Sequence, residues 1–545
     1  MASPGEHDLR LVPAAVTVWV AGLTGQLGGW WSAGLCGVVA VVVAVVLLAR
    51  CGGARARSAA AALLVAGVLS AGVLTVVLRA AAVDPLRAPA ARGGQAVVMM
   101  TTADRARPVR SAGYANEPGT GRKVIIRADI ERVRVDGVPV ASTGRVLLVA
   151  PSPRWARLLP GQQVRATGSL TPARAGELTV AVLQIRGPPE AVTTAPWWQR
   201  SAAAMRADLR AASAAVLDPD EAGLLPGLVV GDTSAMPQRV ADEFLDAGMS
   251  HLVAVSGSNV AVVVGAVFVV LRLLRVGPRT SAVAAGCALV GFLILVGYEP
   301  SVLRASVMGA VGLLALALGR QASAMPALAF AVASLVLIDP AMAVSFGFAL
   351  SVVATGALVL LAPAWAAALH RRSVPPGVAE AVAVPLAAFV VTAPIIAGMA
   401  GEVSLVTVAA NVFAAPVVAF ATVFGVLAAV TAGFAPWLAE AFVWLAGPEA
   451  SWLVLIARTA SGVPGAVIDW PVGWWGGLLA AAVCAGIVLA FRARRLRLLI
   501  AAALAGVLII AVPVAVIAPG WPPAGWTLVA CDVGQGDGLV LSTGE

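Results

Sequence analysis

SAGLCGVVAVVVAVVLLA, residues 32–49, is a run of 18 residues without a charged side chain. A helix rises 1.5 Å per residue, so a run of this length can cross the hydrocarbon core of a bilayer. Two comparable runs lie on either side of it, near 11–28 and 59–78. Residues 1–79 are therefore predicted to form three transmembrane helices.

The composition of the whole chain points to the same class. Of its 545 residues, 60% are hydrophobic and 12% are charged, against about 45–50% and 25% in a typical soluble domain. Further apolar runs lie near 251–274, 280–297, 302–319, 324–338, 342–364, 379–399, 403–430, 437–457, 473–491 and 498–518. Glu440, Glu449 and Arg458 make 437–457 partly amphipathic and the weakest of these runs. The sequence predicts a polytopic α-helical membrane protein of about 11–13 spans.

Arginine clusters set the expected orientation. They lie at Arg50, Arg55 and Arg57, at Arg272, Arg275 and Arg279, at Arg320, at Arg371 and Arg372, and at Arg492, Arg494, Arg495 and Arg497. Short loops rich in Lys and Arg stay in the cytoplasm. With a cytoplasmic N-terminus, the thirteen apolar runs then place residues 80–200 and the C-terminus outside the plasma membrane.

Residues 80–196 are predicted to form a separate external domain. Apolar and polar residues alternate in VIIRADIERVRV (124–135), VASTGRVLLVA (140–150), QVRATGSL (163–170) and ELTVAVLQIR (177–186). Short alternating strands are typical of a small antiparallel barrel or sandwich, and a five-stranded OB-like barrel is the most economical arrangement. Residues 80–200 carry 17 basic and 8 acidic side chains, which is the whole basic excess of the chain.

Residues 197–250 are predicted to contain two amphipathic helices. The first, WWQRSAAAMRADLRAASAAVL (197–217), begins with Trp197 and Trp198, a residue type enriched at membrane–water interfaces. The second, MPQRVADEFLDAGMS (236–250), has Pro237 where a first-turn proline is tolerated. It spaces Val240 and Phe244 along one helix face.

Cysteine and histidine give no sign of a disulfide framework or a metal centre. The cysteines are Cys36, Cys51, Cys287, Cys484 and Cys531, and the histidines are His7, His251 and His370. They form no CxxC pair and no cluster of ligands. No metal ion or other cofactor is expected.

Polar side chains inside apolar runs are costly in a bilayer, and each is a candidate for a transport pathway. The candidates are His251, Ser256, Ser258, Asn259, Glu299, Arg304, Ser306, Ser345 and Asn411. Taken singly, each is better explained by helix packing than by function, and it is their co-occurrence that favours a pathway.

Three of these positions carry a local structural expectation. Gly257 lies between two serines and permits close helix approach or a break in the helix. Arg304 could pair with Glu299, although five residues is a poor spacing on one helix face, and an interhelical partner is equally consistent. Pro416, which follows Asn411, marks a predicted break.

GLLPGLVVGDTSAMPQRVADEFLDAGMSHLVAVSGSNV (223–260) resembles the core signature of the ComEC-type competence proteins, the inner-membrane channels for DNA uptake. YEPSVLRASVMG, DPAMAVSFGFALSVVATGAL and NVFAAPVVAF follow in the family's order. The resemblance implies three transmembrane helices in 1–79, an external OB-like domain in 80–196, amphipathic helices in 197–250, a channel domain in 251–520, and the start of a metallo-β-lactamase-like domain in 526–545.

Residues 526–545 contain WTLVACDV and GLVLST, two predicted strands around an acidic, glycine-spaced turn. In the family this motif opens a domain thought to degrade the strand that is not imported, and its metal ligands lie further along. The sequence ends at Glu545, so the expectation is a truncated domain and no enzymatic activity. Many relatives carry a histidine where this chain has Asn259, which weakens a proton or metal role there.

The expected function is a channel that conducts single-stranded DNA inward. Candidates for contacting DNA are Arg122, Lys123, Arg127, Arg132, Arg134, Arg145 and Arg165, because basic side chains neutralise phosphates whatever the base sequence. Expected partners are single-stranded DNA, membrane lipids, a DNA receptor and a cytoplasmic motor protein, and a homodimer is left open. The alternatives are a transporter or exporter of another anionic or lipidic substrate, and a non-transporting remnant of the family.

Overall fold

The computed structural model describes residues 8–108, 123–152, 154–174, 178–320, 323–490, 528–532 and 537–541. Its helices are α1 Val12–Leu27, α2 Trp30–Arg50, α3 Ala54–Leu69, α4 Thr75–Ala82, α5 Arg87–Ala91, α6 Trp197–Val216, α7 Pro219–Val230, α8 Gln238–Asp246, α9 Ser250–Val253, α10 Gly257–Leu273, α11 Pro278–Val296, α12 Pro300–Ala317, α13 Ala324–Ile338, α14 Phe346–Leu360, α15 Ala362–His370, α16 Pro376–Ala400, α17 Thr407–Thr431, α18 Pro436–Ser461 and α19 Trp474–Ala490. Its strands are β1 Gln95–Thr102, β2 Arg107–Pro108, β3 Lys123–Val135, β4 Val138–Val140, β5 Arg145–Pro151, β6 Gln163–Pro172, β7 Thr179–Ile185, β8 Glu402–Ser404, β9 Val467–Asp469, β10 Leu528–Asp532 and β11 Asp537–Leu541.

Eight helical segments in the described part of the chain are long and apolar enough to cross a membrane. They are Trp30–Arg50, Ala54–Ala82, Pro278–Val296, Pro300–Ala317, Phe346–His370, Pro376–Ala400, Thr407–Thr431 and Pro436–Ser461. Shorter apolar helices are α1, α10, α13 and α19. The chain is therefore a multi-pass membrane protein. The predicted run at 498–518 lies outside the described residues.

Two details of the bundle bear on the sequence predictions. The predicted weakest span is α18, a helix of 26 residues that is long and apolar enough to cross a membrane. Helix α17 continues through Pro416, so the predicted break there is wrong. A membrane helix tolerates an internal proline where neighbouring groups satisfy the freed backbone carbonyl.

The N-terminal helices pack closely and are joined to the rest of the bundle. Glycines bring α2 and α3 together, since a Cβ added to Gly37 would lie 2.6 Å from the carbonyl oxygen of Gly67. On the other face of this unit, Nε1 of Trp19 donates to Ala343 O at 2.9 Å, and Nε2 of Gln26 donates to Pro340 O at 2.6 Å. Helix α1 therefore lies against the turn that follows α13.

Strands β1 to β7 form the domain that the sequence predicts to be external, and we keep the name external domain for it; it is built on a ring of strand pairings. Strand β1 pairs with β3 and with β6, β6 with β7, β7 with β5, and β5 with β3. Only the β5–β7 pairing in this ring is parallel. Alternate side chains point into a core that includes Ile126, Leu148, Trp155 and Val164, all fully buried. Strands β2 and β4 add short pairings to β3.

The alternation in the sequence identifies four of the ring strands, β3, β5, β6 and β7, but not β1. Burial alternates along β1 as in the others, with Ala96, Val98 and Met100 buried. Its outward positions include Val97 and Met99, which are also apolar. Polarity therefore does not alternate along β1, and the strand is visible only in three dimensions.

Helices α6 to α9 follow the external domain in sequence, and their buried residues form one core with those of α17 and α18. Val240 and Phe244 of α8 are buried, which confirms their predicted role in packing. Pro237 precedes α8 as its capping residue. Helix α7 is not predicted by the sequence, because its last eight residues, Gly223–Val230, are all buried and carry no polar face that would reveal a period.

The external domain contacts the ends of the helices that lie opposite the arginine clusters. Arg105 reaches Val296, the last residue of α11, whereas Arg272, Arg275 and Arg279 flank its first residue. Arg145 likewise contacts Asp339, which follows the last residue of α13. The two sides of the bundle are thus distinguished, as the charge pattern predicts. Which of them faces the outside remains a prediction from the positive-inside rule.

Strands β10 and β11 form an antiparallel pair in which Asp532 stands opposite Asp537. This confirms the two predicted strands near the end of the sequence, and the predicted turn between them lies outside the described residues. The assignment of this pair to a metallo-β-lactamase-like domain stays a prediction.

Candidate functional site

The helical structure is interrupted between α9 and α10, at the start of the predicted channel domain. Ala254 and Ser256 have extended backbone conformations, and the helix resumes at Gly257. The hydroxyl oxygens of Ser256 and Ser258 lie 2.5 Å apart. Ser256 makes no capping hydrogen bond to the backbone of α10. The sequence predicts a break or a close approach at Gly257, and the structure shows both.

The close approach is to Arg304 of α12. Nη2 of Arg304 lies 3.0 Å from the position that a Cβ atom on Gly257 would take, and Cβ of Ala305 lies 3.1 Å from the same point. Glycine has no Cβ atom and therefore avoids both of these close contacts. The guanidinium group therefore faces the first turn of α10.

Arg304 is buried within a candidate span, with 6% of its surface exposed. Nε donates to the hydroxyl of Ser351 at 2.8 Å, and Nη1 lies 3.1 Å from the sulfur of Met308. Among the residues that the structure describes, no carboxylate forms an ion pair with it. Glu299 is not its partner, so the interhelical alternative is correct. Buried charges without a counter-charge are costly and characteristic of functional positions.

The other polar candidates in the bundle mostly serve packing. Asn259 is buried and donates to the carbonyl of Leu228 on α7 at 2.7 Å. Asn411 donates to Thr407 O at 2.8 Å within its own helix. Such bonds to backbone carbonyls satisfy the amide groups without leaving them free for a substrate.

The remaining candidates are dispersed. His251 is exposed on α9. The hydroxyl of Ser306 on α12 is buried without a hydrogen-bond partner in the described structure. Ser345 caps α14 by accepting a bond from the backbone N–H of Phe348 at 3.4 Å. Of the nine polar candidates, the structure brings Ser256, Ser258 and Arg304 together around Gly257.

A second polar cluster, which we call the junction, joins the external domain to the corner between α11 and α12. Arg107 of β2 forms an ion pair with Glu299, with 2.9 Å between Nη2 and Oε1. Nη2 of Arg105 donates to the carbonyl of Val296, and Nη1 of Arg206 on α6 donates to the carbonyl of Leu295 at 2.7 Å. Cations are favourable at the C-terminal end of a helix, where carbonyl groups are unsatisfied.

Burial affects the junction arginines directly. It lowers the pKa of Arg206 to about 10, and the nearby charge of Arg105 adds to this effect. The pKa of Arg105 is also lowered by its burial, against which Asp232 and Glu299 act. Arg206 remains protonated at neutral pH, so the junction places a buried positive charge on the α11 terminus.

The external domain carries an exposed basic surface that we call the arginine face, formed by Arg132, Arg134 and Arg165. Arg132 of β3 and Arg165 of β6 both stand opposite Met99 of β1, on either side of it. Arg134 stands opposite Val97. Neighbouring strands are about 4.8 Å apart, so the first two arginines are separated by about 10 Å. All three side chains are exposed, and none forms an ion pair within the described structure.

Other DNA-contact candidates on this domain are engaged elsewhere. Arg127 pairs with Asp104 at 2.7 Å, and Arg145 pairs with both Asp129 and Asp339 at 3.3 and 3.2 Å. Lys123 is exposed at the start of β3. Arg122 lies outside the described residues. Within the described structure, ion pairing thus leaves Lys123 and the arginine face as the open part of the predicted set.

Stacking partners for bases are scarce on this domain. Trp155 is fully buried, and its Nε1 donates to the carbonyl of Gly187 at 2.9 Å. Trp197 and Trp198 are exposed at the start of α6, where they pack edge to face. In the described residues, no group of three or more His, Cys, Asp or Glu side chains is placed to hold a metal ion.

Sequence reasoning does not find Ser351, Arg105 or Arg206 as site residues. Ser351 lies in SFGFALS, and only its contact with Arg304 distinguishes it from a packing serine. Arg105 and Arg206 resemble other arginines of a basic segment. Their distinguishing feature is a bond to a helix end that lies 191 and 89 residues away in sequence.

Comparison with known proteins identifies the family. The family model described as "Competence protein" matches residues 228–497. ComE operon protein 3 of Bacillus subtilis (strain 168) is 28% identical over 145 residues. Residues 228–497 belong to the ComEC-type competence protein family. The alignment with ComE operon protein 3 covers 27% of this chain and 19% of the relative. The match therefore spans about a fifth of the relative's length. No solved structure matches the chain.

The region matched by the competence family model contains the cluster around Gly257 and only one side of the junction. It begins near the end of α7 and includes all helices from α8 to α19. The matched region therefore includes Arg304, Glu299 and the interrupted segment before α10. Arg105, Arg107 and the arginine face precede it. The junction is a contact between the competence region and the external domain.

Proposed function

We propose that this competence-family protein is a plasma-membrane channel for the uptake of single-stranded DNA during natural transformation. Family membership and the many apolar helices support a membrane role in competence. The observation that carries the choice of substrate is the arginine face, three exposed arginines without acidic partners in the described structure. A surface of this kind attracts phosphates irrespective of the base sequence.

The external domain acts as a guide in this proposal. Five strands whose pairings return to β1, with one parallel pairing between β5 and β7, support an OB-like barrel. OB barrels commonly hold single strands in a basic groove with aromatic stacking. Because Trp155 is buried, guidance here is mainly electrostatic, and the domain raises the local concentration of DNA rather than binding it tightly.

The junction gives the guide a fixed position over the channel helices. The strand enters from the side on which residues 80–200 lie, which the positive-inside rule places outside the cell. A DNA receptor delivers the strand, and a cytoplasmic motor draws it through. The proposal assigns this chain no catalytic step.

The test is deletion of the gene in the source organism. Transformation by added linear DNA should be lost, while binding of labelled DNA to the cell surface should be unchanged, and the wild-type gene should restore uptake. Transformation at the normal frequency in the deletion strain would overturn the proposal. It would then favour the alternative of a transporter for a smaller anionic or lipidic substrate, with the arginine face docked on lipid headgroups.

A further inference from the structure

We propose that Arg304 and the first turn of α10 form a binding site for one oxyanion, and that its ligand during transport is a phosphodiester of the incoming strand. The inference rests on the proposed function for the identity of the ligand. The anion site itself rests on the contacts around Gly257.

Two positive groups converge at this point without a counter-charge. The N-terminus of a helix carries a partial positive charge and attracts anions. In the described structure, the backbone N–H groups of Gly257 and Ser258, the first two of α10, have no hydrogen-bond partner. Nη2 of the buried Arg304 is directed at the same turn and has no partner either. Like charges placed together in a buried site are unfavourable unless an anion lies between them.

The guanidinium is held in a fixed orientation toward this space. Ser351 accepts from its Nε and the sulfur of Met308 lies beside Nη1, which leaves Nη2 to donate. The absence of a side chain at Gly257 lets the guanidinium approach the turn this closely, because a Cβ there would lie 3.0 Å from Nη2. An arginine fork and a helix N-terminus are both suited to the oxygen atoms of a phosphate.

The hydroxyl-bearing residues Ser256 and Ser258 lie on either side of Gly257 at this helix terminus. Their oxygen atoms are within hydrogen-bond distance of each other, and Ser256 leaves the helix terminus uncapped. Serine at the capping position normally accepts a bond from the backbone of the first turn. Here that turn is available to an external acceptor instead.

The depth of the site suits a chain of phosphates better than a free anion. Arg304 follows Glu299 by five residues, so it lies about 7 Å further along α12 than the corner that Arg107 contacts. A strand guided over the external domain therefore meets the site just beyond the junction. Free inorganic phosphate and a lipid headgroup share the same chemistry, and the experiment separates them.

The matched variants are Gly257→Ala and Gly265→Ala. Both add one methyl group to α10, but a Cβ at Gly265 meets no atom within 4 Å, whereas one at Gly257 meets the guanidinium. Arg304→Gln removes the charge, and Arg304→Lys keeps the charge without the fork. Full-length protein in nanodiscs of uncharged lipid is titrated against fluorescein-labelled oligothymidylate, and binding is followed by fluorescence anisotropy.

Gly257→Ala and Arg304→Gln should raise the Kd about tenfold, the loss expected for one charge-assisted hydrogen-bond set. Gly265→Ala should bind as the wild type does, and Arg304→Lys should be intermediate. A methylphosphonate oligonucleotide, which lacks the charge, should not respond to Gly257→Ala. Equal Kd values for the two glycine variants, with both proteins monodisperse and thermally stable, would overturn the site.

Competition distinguishes the ligand sources and separates this inference from the proposed function. Displacement of oligothymidylate by inorganic phosphate only at large excess supports the phosphodiester. If inorganic phosphate or nanodiscs with anionic lipid bind in a Gly257-dependent way while oligothymidylate does not, the DNA assignment is overturned and the anion site stands. If deletion of the gene abolishes transformation but Gly257→Ala transforms normally, the site is overturned and the proposed function stands.

Discussion

Arg107 and Glu299 form an ion pair that spans 192 residues of sequence, with 2.9 Å between Nη2 and Oε1. It joins β2 of the external domain to the start of α12. Beside it, Arg105 donates to the carbonyl of Val296. The external domain is thus attached to the same helix that carries the buried Arg304.

The two arginines of this attachment should contribute unequally to stability. The side chains of Arg107 and Glu299 are 52% and 34% exposed, and exposed pairs stabilise by at most about 1 kcal/mol. Arg105 is partly buried, and its loss leaves the carbonyl of Val296 at the end of α11 without this donor. Arg105→Gln should therefore lower the thermal midpoint of the purified protein clearly more than Arg107→Gln. Equal shifts for the two variants would show that the carbonyl contact adds nothing.

Replacing the arginine face should weaken DNA binding and its dependence on salt. A full-length variant with Arg132→Gln, Arg134→Gln and Arg165→Gln loses three phosphate contacts. The slope of log K against log salt for single strands should then become shallower by about 2. Titrations with oligothymidylate at several salt concentrations measure both effects, and the base sequence should hardly matter.

The control for this variant removes the same charge from another part of the domain. Arg154, Arg157 and Arg186 are also exposed, and their replacement by glutamine should leave the slope close to that of the wild type. Similar slopes in the two triple variants would mean that only the net charge of the domain matters. The arginine face would then not be a binding surface.

The sequence predicts the strands and spans of this protein better than it predicts their contacts. Alternation locates β3, and the apolar runs locate the channel helices, because both patterns are local. The sequence cannot separate the unpaired Arg132 from the ion-paired Arg127, since the acid that neutralises Arg127 is Asp104, on a preceding loop. Exposure and ion pairing, which depend on the fold, decide which arginines remain open.

Arg304 should reduce the stability of the protein rather than increase it. A buried charge without a counter-charge can often be replaced by an apolar residue of similar volume with a gain in stability. Arg304→Met should therefore raise the thermal midpoint by about 2 °C or more, while it lowers DNA uptake. The measurement is thermal unfolding in phosphate-free buffer, because a bound anion would stabilise the wild type. A lower midpoint would instead mark Arg304 as a structural residue.

The bond between Asn259 and Leu228 should be structural. Asn259→Leu removes the donor and leaves the buried carbonyl of Leu228 unsatisfied, which costs about 1–3 kcal/mol. Asn259→His keeps a donor at this position. Thermal unfolding should rank the wild type above Asn259→His and Asn259→Leu lowest. Equal stability of the leucine variant and the wild type would show that the bond is replaceable.

The orientation of the helices can be tested at loops that the structure describes. Reporter fusions after Ala80 and after Gly297 should be active outside the cell, and fusions after Arg275 and after Arg371 should be active in the cytoplasm. The first two points lie on the side of the external domain, and the last two lie in arginine-rich loops. A cytoplasmic signal after Gly297 would reverse the assignment of the external side.

The site residues differ in how far the sequence could reveal them. Ser256, Ser258 and Arg304 are recognisable because polar groups in apolar runs are unusual. Their convergence is not, because Gly257 and Arg304 are 47 residues apart and the partner Ser351 lies a further 47 residues along. The approach of α12 to the first turn of α10 brings Arg304 beside Gly257, and no local pattern specifies that contact.

The bond between Arg145 and Asp339 has a consequence for biosynthesis. These residues are 194 positions apart, and a ribosome adds about 5–20 residues per second, so Asp339 is made about 10–40 s after Arg145. The domain that the sequence predicts to be external is synthesised before its attachment point on the helices exists. During that interval Arg145 has only Asp129 as a partner. The contacts that fix the domain to the ends of α11 and α13 can form only after those helices have been made.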